Sequence, residues 1–239
     1  MPNATAFFRK LYFPLTSLVC LIGLIGAAIL IWQARQDEGQ REQASFEFGK
    51  GQAARVSSEV NKEMDLQMSL GKSIADDITS GKLSYTEVAA RLRQETEAHP
   101  NLFGMGVAFS PYVYKSDLKL FAPYYFKDEF GNFTRAQVET SYDYSDESSA
   151  DSVWFNSALE APYWYATGYD VTAQAELVEY ITPFYRTDPQ TGEKKAVGVV
   201  WVDHSVDTMK AFIRSIDVGE DGYTTLLDDS AYIIAHPKA

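Results

Sequence analysis

Hydrophobic residues follow successive patterns along this chain, and each pattern predicts a different kind of element. Residues 11–34 carry no charged side chain and consist mostly of Leu, Ile, Val, Ala and Gly. About 20 apolar residues are enough for a helix to cross the hydrocarbon core of a membrane. Residues 11–34 are therefore predicted to form a transmembrane helix that holds the more polar remainder of the chain against one face of a membrane.

Basic residues near this segment indicate its orientation. Arg9 and Lys10 precede it without any acidic residue, whereas acidic residues follow it closely. The positive-inside rule then places residues 1–10 in the cytoplasm and residues 35–239 outside the inner membrane, in the periplasm or the extracellular space. A cleaved signal peptide is the alternative, but its apolar region is usually about 7–15 residues long. The bulky end of the segment at Trp32 favours a retained anchor.

Residues 35–80 mix polar and apolar positions and contain no proline. Their apolar positions recur in alternating steps of three and four, which predicts one long stalk helix with a heptad seam. Glu63 and Gln67 interrupt that seam. Two interpretations stay open, a stalk that forms a homodimer and a helix that packs on its own domain. The seam consists of Phe46, Gly49, Ala53, Val56, Val60, Glu63, Gln67, Leu70 and Ile74.

Beyond residue 81 the pattern changes from the period of helices to that of strands. Ser84 and Glu87 form a capping-box motif, which predicts a second helix from about Ser84 to just before Pro100. An acidic, serine-rich loop is predicted at 142–152, with Asp151 as the cap of a short helix that follows. Strands are predicted at 102–110, 120–127, 133–138, 177–186 and 196–203.

The last predicted strand, residues 196–203, is apolar on both faces, which indicates a sheet covered on both sides. A helix follows over residues 206–216, capped by Ser205 or Asp203, and then a hairpin around residues 228–230. An isolated hairpin is marginally stable, so this segment is predicted to begin a second, incomplete lobe. The predicted fold class is α+β, with a ligand pocket between the antiparallel sheet and its covering loops.

Composition narrows the function further. A net charge of -12 argues against a nucleic-acid partner, which would need clustered basic residues. The only cysteine, Cys20, lies in the predicted span, so the outer part has neither a disulfide nor a thiol nucleophile. No nucleophile elbow, phosphate-binding loop or metal-binding spacing is present, so no catalytic residue, cofactor or metal is predicted. The acidic residues of the 142–152 loop lack the spacing of a calcium loop and are predicted to be solvated.

Seven short stretches between residues 103 and 237 follow one another with a characteristic order and spacing. They resemble the extracytoplasmic double-Cache, PAS-like sensors of bacterial transmembrane receptors, and the first three stretches most resemble sensors attached to serine phosphatases or nucleotide cyclases. The resemblance implies a membrane-distal ligand-binding lobe at residues 81–204 and the start of a membrane-proximal lobe at 205–239. The stretches are Phe103–Phe109, Ala122–Tyr125, Val153–Phe155, Tyr180–Phe184, Gly198–Asp203, Gly222–Tyr223 and Ile234–Pro237.

The resemblance also points to a binding site. Amino-acid-binding members of that family carry an Arg two residues before a Trp-Tyr pair, and this chain has Ser152 at that position. A ligand with an α-carboxylate is therefore not favoured, whereas carboxylates and aromatic rings suit an amine or another cationic group. The predicted ligand-binding residues are Tyr125, Trp154, Phe155, Tyr165, Tyr169, Asp170, Tyr180, Thr182 and Asp203.

Each candidate also has a purely structural interpretation. Asp203 suits a helix cap, Asp170 suits a plain turn, and the aromatic residues suit the core. The predicted function is the sensory region of a bacterial membrane receptor, which binds an extracytoplasmic small molecule and signals to a cytoplasmic output module. The alternative is a membrane-anchored periplasmic hydrolase or solute-binding protein without a signalling role, and a further option is a fragment with no function of its own.

Overall fold

The computed structural model describes the chain from residue 4 onward, apart from residues 129, 171, 217–222, 228–232 and 237–239. Side chains are not described for residues 4–23, 166–168 and 234–235. The chain divides into two compact units, Met1–Arg55 and Val56–Ala239. The sheet and the candidate site both lie within the second unit.

The N-terminal part of the chain forms one long helix, α1 (Ala4–Thr79). Proline is absent between residues 35 and 80, so every residue of this stretch can donate its backbone N–H to the helix. Just beyond the helix, Gly81 adopts a φ of +76°, a left-handed conformation that glycine reaches without steric cost. A long N-terminal helix is thereby confirmed.

The predicted transmembrane helix falls partly on residues whose side chains are not described, namely 11–23. Within the part of the chain that the structure does describe, no helix combines the length and the apolar character that a membrane span requires. The span at residues 11–34 therefore stays a prediction.

Only the second half of the predicted heptad seam is buried. Phe46 is 67% exposed, whereas Val56 is 5% exposed and Ile74 is fully buried. Gln67 is also fully buried, although it is polar. Ile74 belongs to the core cluster between α1 and the sheet. The helix from Val56 onward therefore packs on its own domain, and the homodimer through residues 35–80 stays a prediction.

Helix α2 (Val88–Ala98) begins four residues later than predicted. The Ser84 hydroxyl donates a hydrogen bond of 2.6 Å to Glu87 Oε2, and the Ser84 backbone N–H donates one of 3.2 Å to the same atom. The contact expected of a capping box is therefore present, but the turn that it closes, Ser84 to Glu87, lies before the first residue of the helix. The helix ends two residues before Pro100, as predicted.

Six strands form one antiparallel sheet in the order β3-β2-β1-β6-β5-β4. Five of the strands overlap the predicted ones, and the long central pair β5–β6 joins through the turn at residues 188–192. Strand β4 is not among the predicted strands, and it includes Gly168 to Asp170, for which a plain turn is one of the two interpretations above. The strands are β1 (Gly104–Phe109), β2 (Pro123–Lys127), β3 (Phe133–Gln137), β4 (Tyr163–Asp170), β5 (Ala175–Thr187) and β6 (Lys194–Ser205).

Both faces of the sheet are covered, as the apolar pattern of residues 196–203 predicts. One face packs against α1 and α2 through a cluster that includes Ile74, Leu92 and Val200. The other face packs against helix α3 (Val153–Glu160) and the loop before it, through a cluster that includes Tyr144 and Phe155. The α1 face and the α3 face of the sheet therefore each have a core of their own.

One predicted helix cap is wrong, and the other is confirmed in one of its two alternatives. Asp151 caps nothing; its own backbone N–H donates a hydrogen bond of 3.2 Å to the hydroxyl of Ser149, which starts the short 3-10 turn Ala150–Ser152. Of the two alternatives for helix α4 (Val206–Arg214), Ser205 is the N-cap residue, as predicted, whereas Asp203 lies inside strand β6.

After α4, two short strands, β7 (Leu226–Leu227) and β8 (Ile233–Ala235), pair antiparallel as predicted. Their connecting turn at residues 228–230 lies outside the described residues. The start of a second lobe at residues 205–239 stays a prediction.

Candidate functional site

A cavity of about 490 Å³ opens on the α3 face of the sheet. Its floor is formed by strands β2, β5 and β6, and its walls by strand β4, helix α3, the segment before α3 and the loop after β4. Among the described residues that line it, four are acidic and none is basic. They are Tyr124, Val138, Ser141, Tyr142, Ala150, Asp151, Trp154, Tyr165, Tyr169, Asp170, Thr172, Leu177, Glu179, Trp201 and Asp203.

Two carboxylates form the floor of this cavity. Glu179 on β5 and Asp203 on β6 are directly paired across the antiparallel sheet, so their side chains leave the same face side by side. Glu179 is 7% exposed and Asp203 is fully buried. Like charges in this arrangement repel each other, and neither can be solvated by bulk water.

Burial is the main electrostatic influence on this pair. It raises the pKa of Glu179 well above its usual value, and the neighbouring charges of Asp203 and Asp170 raise that pKa further. Burial also raises the pKa of Asp203, partly offset by the Tyr124 hydroxyl, and Asp170 again adds to the increase. The pair therefore holds protons more tightly than isolated carboxyl groups do.

Polar atoms on the floor lack partners. Both carboxylate oxygens of Asp203 and the hydroxyl of Tyr124 are buried without a hydrogen bond of regular length and angle. The two groups are nevertheless near enough that each shifts the pKa of the other. Buried groups of this kind are usually satisfied, so the floor is a place where a ligand can supply missing donors.

Aromatic side chains build the walls. The rings of Trp154 and Trp201 meet edge to face, with centroids 5.2 Å apart. The Trp154 indole N–H donates a hydrogen bond of 2.8 Å to the hydroxyl of Tyr142, whose pKa is raised by burial to about 12. Opposite Trp201 on β1 stands Gly106, and a Cβ there would overlap the Trp201 ring. The Trp201 indole can therefore occupy this position only because residue 106 is a glycine without a side chain.

Asp170 lies at the end of β4 and is half-buried at the side of the cavity. Its Oδ1 accepts the backbone N–H groups of Thr172 at 2.9 Å and Ala173 at 2.7 Å, which fixes the carboxylate at the turn into β5. Its charge acts on both floor carboxylates. Asp170 therefore closes the turn and also lines the pocket, so both interpretations of this residue describe part of its role.

Residues 88–211, just over half of the chain, match the family model "Methyl-accepting chemotaxis protein-like, first PDC sensor domain". The chain belongs to this family. The resemblance to extracytoplasmic Cache-type sensors is thereby confirmed, and the PDC sensor domain is a ligand-sensing part of a receptor rather than an enzyme. The hydrolase alternative is not supported. No curated protein matches the chain by sequence.

Solved structures of related fold are sensor domains as well. The extracellular domain of soHK1S-Z6, a protein assigned as a histidine kinase, is 21% identical and has a TM-score of 0.59; the match covers 76% of this chain and 66% of that one. "Methyl-accepting Chemotaxis protein X" is 20% identical with a TM-score of 0.58, covering 83% of this chain and 76% of that one. At these identities the likeness shows a shared fold.

A third structure is the ligand-binding domain of the Campylobacter jejuni chemoreceptor Tlp3 in complex with 4-methylisoleucine. It is 15% identical with a TM-score of 0.50, and the match covers 75% of this chain and 64% of that one. This PDC sensor chain thus spans slightly less than two thirds of the length of the Tlp3 ligand-binding domain and of the soHK1S-Z6 extracellular domain.

The structure brings five of the nine predicted ligand-binding residues together around the cavity. They come from α3, β4 and β6, three elements that are separated along the chain. These five residues are Trp154, Tyr165, Tyr169, Asp170 and Asp203.

The other four predicted residues do not line the cavity. Tyr125 belongs to the core on the α1 face. Phe155 is only 1% exposed and belongs to the core on the α3 face, behind the pocket wall. Tyr180 and Thr182 share one strand face, as predicted, but both point to α1, where they surround Gly71. Their places in the binding site are therefore not supported by the geometry.

Several lining residues were missed from the sequence, above all Glu179 and Tyr124. Each is the strand neighbour of a residue that was chosen, Tyr180 and Tyr125. Because side chains alternate between the two faces of a strand, a site that includes Tyr180 or Tyr125 excludes the neighbouring Glu179 or Tyr124. Asp203 was assigned to the face of Trp201, and the cross-strand partner of Asp203 is Glu179. The signal that could have found Glu179 is a second acidic residue in a predicted buried strand.

Proposed function

We propose that this PDC sensor domain binds a positively charged small molecule, such as an amine, in the cavity on the α3 face of its sheet. The observation that carries the proposal is the buried Asp203, whose carboxylate oxygens have no partner and which lies beside Glu179. A cationic donor placed there supplies both the missing hydrogen bonds and the missing charge. None of the described lining residues is basic, so the protein supplies no positive charge there.

The walls support the same ligand class. Trp154, Tyr165 and Tyr169 come from two elements and face one cavity. Aromatic faces attract ammonium groups, most strongly where water is excluded. We assign Asp203, Glu179 and Asp170 to the charge of the ligand and the aromatic residues to its apolar body. Phe155, Tyr125, Tyr180 and Thr182 support the sheet and the wall from behind.

An α-amino acid fits this pocket less well than a simple amine. Tlp3 was solved with an amino acid derivative, and an α-carboxylate needs a cationic or N–H partner. Position 152 holds a buried serine whose hydroxyl donates to the carbonyl of Asp143 at 3.1 Å, so it faces away from such a role. A ligand carboxylate in this pocket would meet Glu179 and Asp203 without an opposing charge.

Helix α1 is placed to sense the state of the pocket. Next to Glu179 and Asp203 along their strands are Tyr180 and Val202, which point to the α1 face. A Cβ on Gly71 of α1 would lie 3.2 Å from Tyr180 Cδ1 and 3.4 Å from Val202 Cγ2. A ligand that draws the two floor carboxylates together therefore acts on strands that pack directly on α1, and its differential affinity for two arrangements would shift their populations.

We further propose how this lobe serves a receptor. Residues 81–204 are the ligand-binding lobe and 205–239 begin a membrane-proximal lobe. Residues 11–34 anchor the chain in the inner membrane, with 35–239 in the periplasm or outside the cell. The stalk at 35–80 forms a homodimer and carries the signal to a cytoplasmic output module. The family membership and the extracellular sensor structures of similar fold support this arrangement.

A thermal-shift screen of the full chain in detergent micelles tests the ligand class. The screen compares simple amines, amino acids and small carboxylic acids, each with the wild-type chain and with Asp203→Asn. Amines are expected to raise the melting temperature of the wild type and to have no effect on the variant. Stabilisation by carboxylic acids, or equal stabilisation of both proteins by amines, would contradict the proposal.

A disulfide cross-linking scan over residues 46–70 tests signal transmission through α1. Single cysteines are introduced along the stalk, and cross-linking is measured with and without the amine found in the screen. The pattern is expected to change when the amine binds, and identical patterns would rule out this route.

A further inference from the structure

Asp170 adds a further carboxylate at the side of the cavity whose floor holds Glu179 and Asp203. On the basis of the proposed function, we infer that the ligand carries two positive charges. One charge is held by the Glu179–Asp203 pair, and the second by Asp170 at the side of the cavity.

The floor pair accounts for the first charge. Glu179 and Asp203 face each other across the β5–β6 pairing, so a single ammonium group can accept contacts from both carboxylates at once. Asp203 has two unpartnered oxygens to offer, and it is fully buried.

Asp170 accounts for the second charge. Its Oδ1 is occupied by the N–H groups of Thr172 and Ala173, while its side chain also lines the same cavity as the floor pair. The backbone contacts fix the carboxylate in position, so a ligand group meeting it does not first have to order it. Among the described residues around the cavity no lysine, arginine or histidine neutralises it.

The size and shape of the cavity suit such a ligand. About 490 Å³ is far more than a single ammonium group needs, and it accommodates a short aliphatic chain between two charged ends. Tyr124, Trp154 and Trp201 lie around this volume and provide apolar and aromatic contacts for the chain. A linear diamine therefore matches the distribution of acidic and aromatic groups better than a monoamine.

Isothermal titration calorimetry on the full chain in detergent micelles tests the inference. The probes are 1,4-diaminobutane and butylamine, which share the same carbon chain and differ by one charge. We expect the diamine to bind about 30-fold more tightly than the monoamine, because one additional charge-assisted contact is made.

Asp170→Asn serves as the key variant, since asparagine keeps the acceptor for the two backbone N–H groups. It is expected to lower diamine affinity about 10-fold or more and to change butylamine affinity less than about threefold. Glu147→Gln is the matched control, because it removes one negative charge from an exposed position outside the cavity, and it should leave both affinities unchanged.

The outcomes separate the two proposals. Equal affinities for diamine and monoamine, or an Asp170→Asn variant that keeps the diamine preference, would overturn the dication inference and leave the cation site intact. Failure of both amines to bind at millimolar concentration, together with binding of an amino acid or a carboxylic acid, would overturn the cation site itself.

Discussion

Strands β5 and β6 present different chemistry to the two faces of one sheet. Towards α1 they present Tyr180, Val200 and Val202, which pack among apolar side chains. Towards α3 they present Glu179 and Asp203, which are equally buried but line a cavity. Neighbouring residues on the same strands therefore have different roles. The α1 face is stabilised by apolar packing, whereas the α3 face presents two buried carboxyl groups to the cavity.

The buried carboxyl groups on the α3 face are the point at which this domain departs from a structure optimised for stability alone. A buried carboxylate without a partner costs free energy, and such groups concentrate at functional sites. Where β5 and β6 pack on α1, the residues that face it are Tyr180, Thr182, Val200 and Val202, and none of these four is acidic. The largest expected effect therefore comes from placing a carboxylate on that face.

Val200→Asp is expected to have the largest effect on the free energy of unfolding. Val200 is fully buried against α1, so an aspartate there is left without a partner and is expected to lower the free energy of unfolding by about 4 kcal/mol or more. Val200→Ala is the control for the lost volume, at about 2 kcal/mol. Urea denaturation followed by circular dichroism measures both. Equal stabilities of the two variants would show that the α1 face tolerates charge as the α3 face does.

Asp203→Asn tests the opposite face. Asparagine keeps the shape and removes the charge, so amine affinity is expected to fall about 100-fold, which corresponds to about 2.7 kcal/mol. The free energy of unfolding without ligand should stay the same or rise, because a buried charge has been removed. Calorimetry and urea denaturation give the two values. A variant that loses stability while it keeps its amine affinity would assign Asp203 a structural role.

Gly106→Ala sharpens the role of the pocket wall. An alanine Cβ at this position would overlap the Trp201 ring, so the indole must move, and we expect a loss of about 2 kcal/mol in the free energy of unfolding. Amine affinity should fall with it, because Trp201 lines the cavity. Gly49→Ala is the control, since no atom lies within 4 Å of the added methyl group. An unchanged Trp fluorescence spectrum in Gly106→Ala would contradict the expected movement.

The pH dependence of stability gives the smallest effect. The folded-state pKa values of Glu179 and Asp203 are raised above their unfolded values, so the folded state binds more protons between those values. Its stability therefore falls as pH rises from the unfolded pKa through the raised pKa. Glu179→Gln should flatten this dependence, as measured by melting temperature without ligand. A steeper fall in the variant would show that other groups dominate.

The sequence patterns predicted most of the fold, because long periodic segments determine their own element type. The stalk helix, the second helix and five strands follow from residue periodicity, and the sheet covered on both faces follows from the apolar run in β6. Strand β4 was missed because its residues 163–170 mix aromatic positions with glycine at an edge of the sheet. Its strand conformation depends on pairing with β5, which local sequence does not encode.

The candidate site was harder to predict, since it depends on which face each residue takes and on which strands become neighbours. The family resemblance pointed to Asp203, Asp170, Tyr169 and Trp154, and the aromatic character of Tyr165 suited a pocket wall. Glu179 could not, because its pairing with Asp203 requires the register between β5 and β6. Tyr180 and Thr182 were assigned to the wrong face of β5, because a shift of one residue along a strand moves a side chain to the opposite face of the sheet.

A crystal structure of the full chain grown with 1,4-diaminobutane is the most direct test of a cation site on the α3 face. The expected result is a ligand nitrogen within about 3 Å of carboxylate oxygens of both Glu179 and Asp203, with the carbon chain against Trp154 and Trp201. A ligand bound elsewhere, or a pocket occupied by an anion with the floor carboxylates turned away, would contradict it.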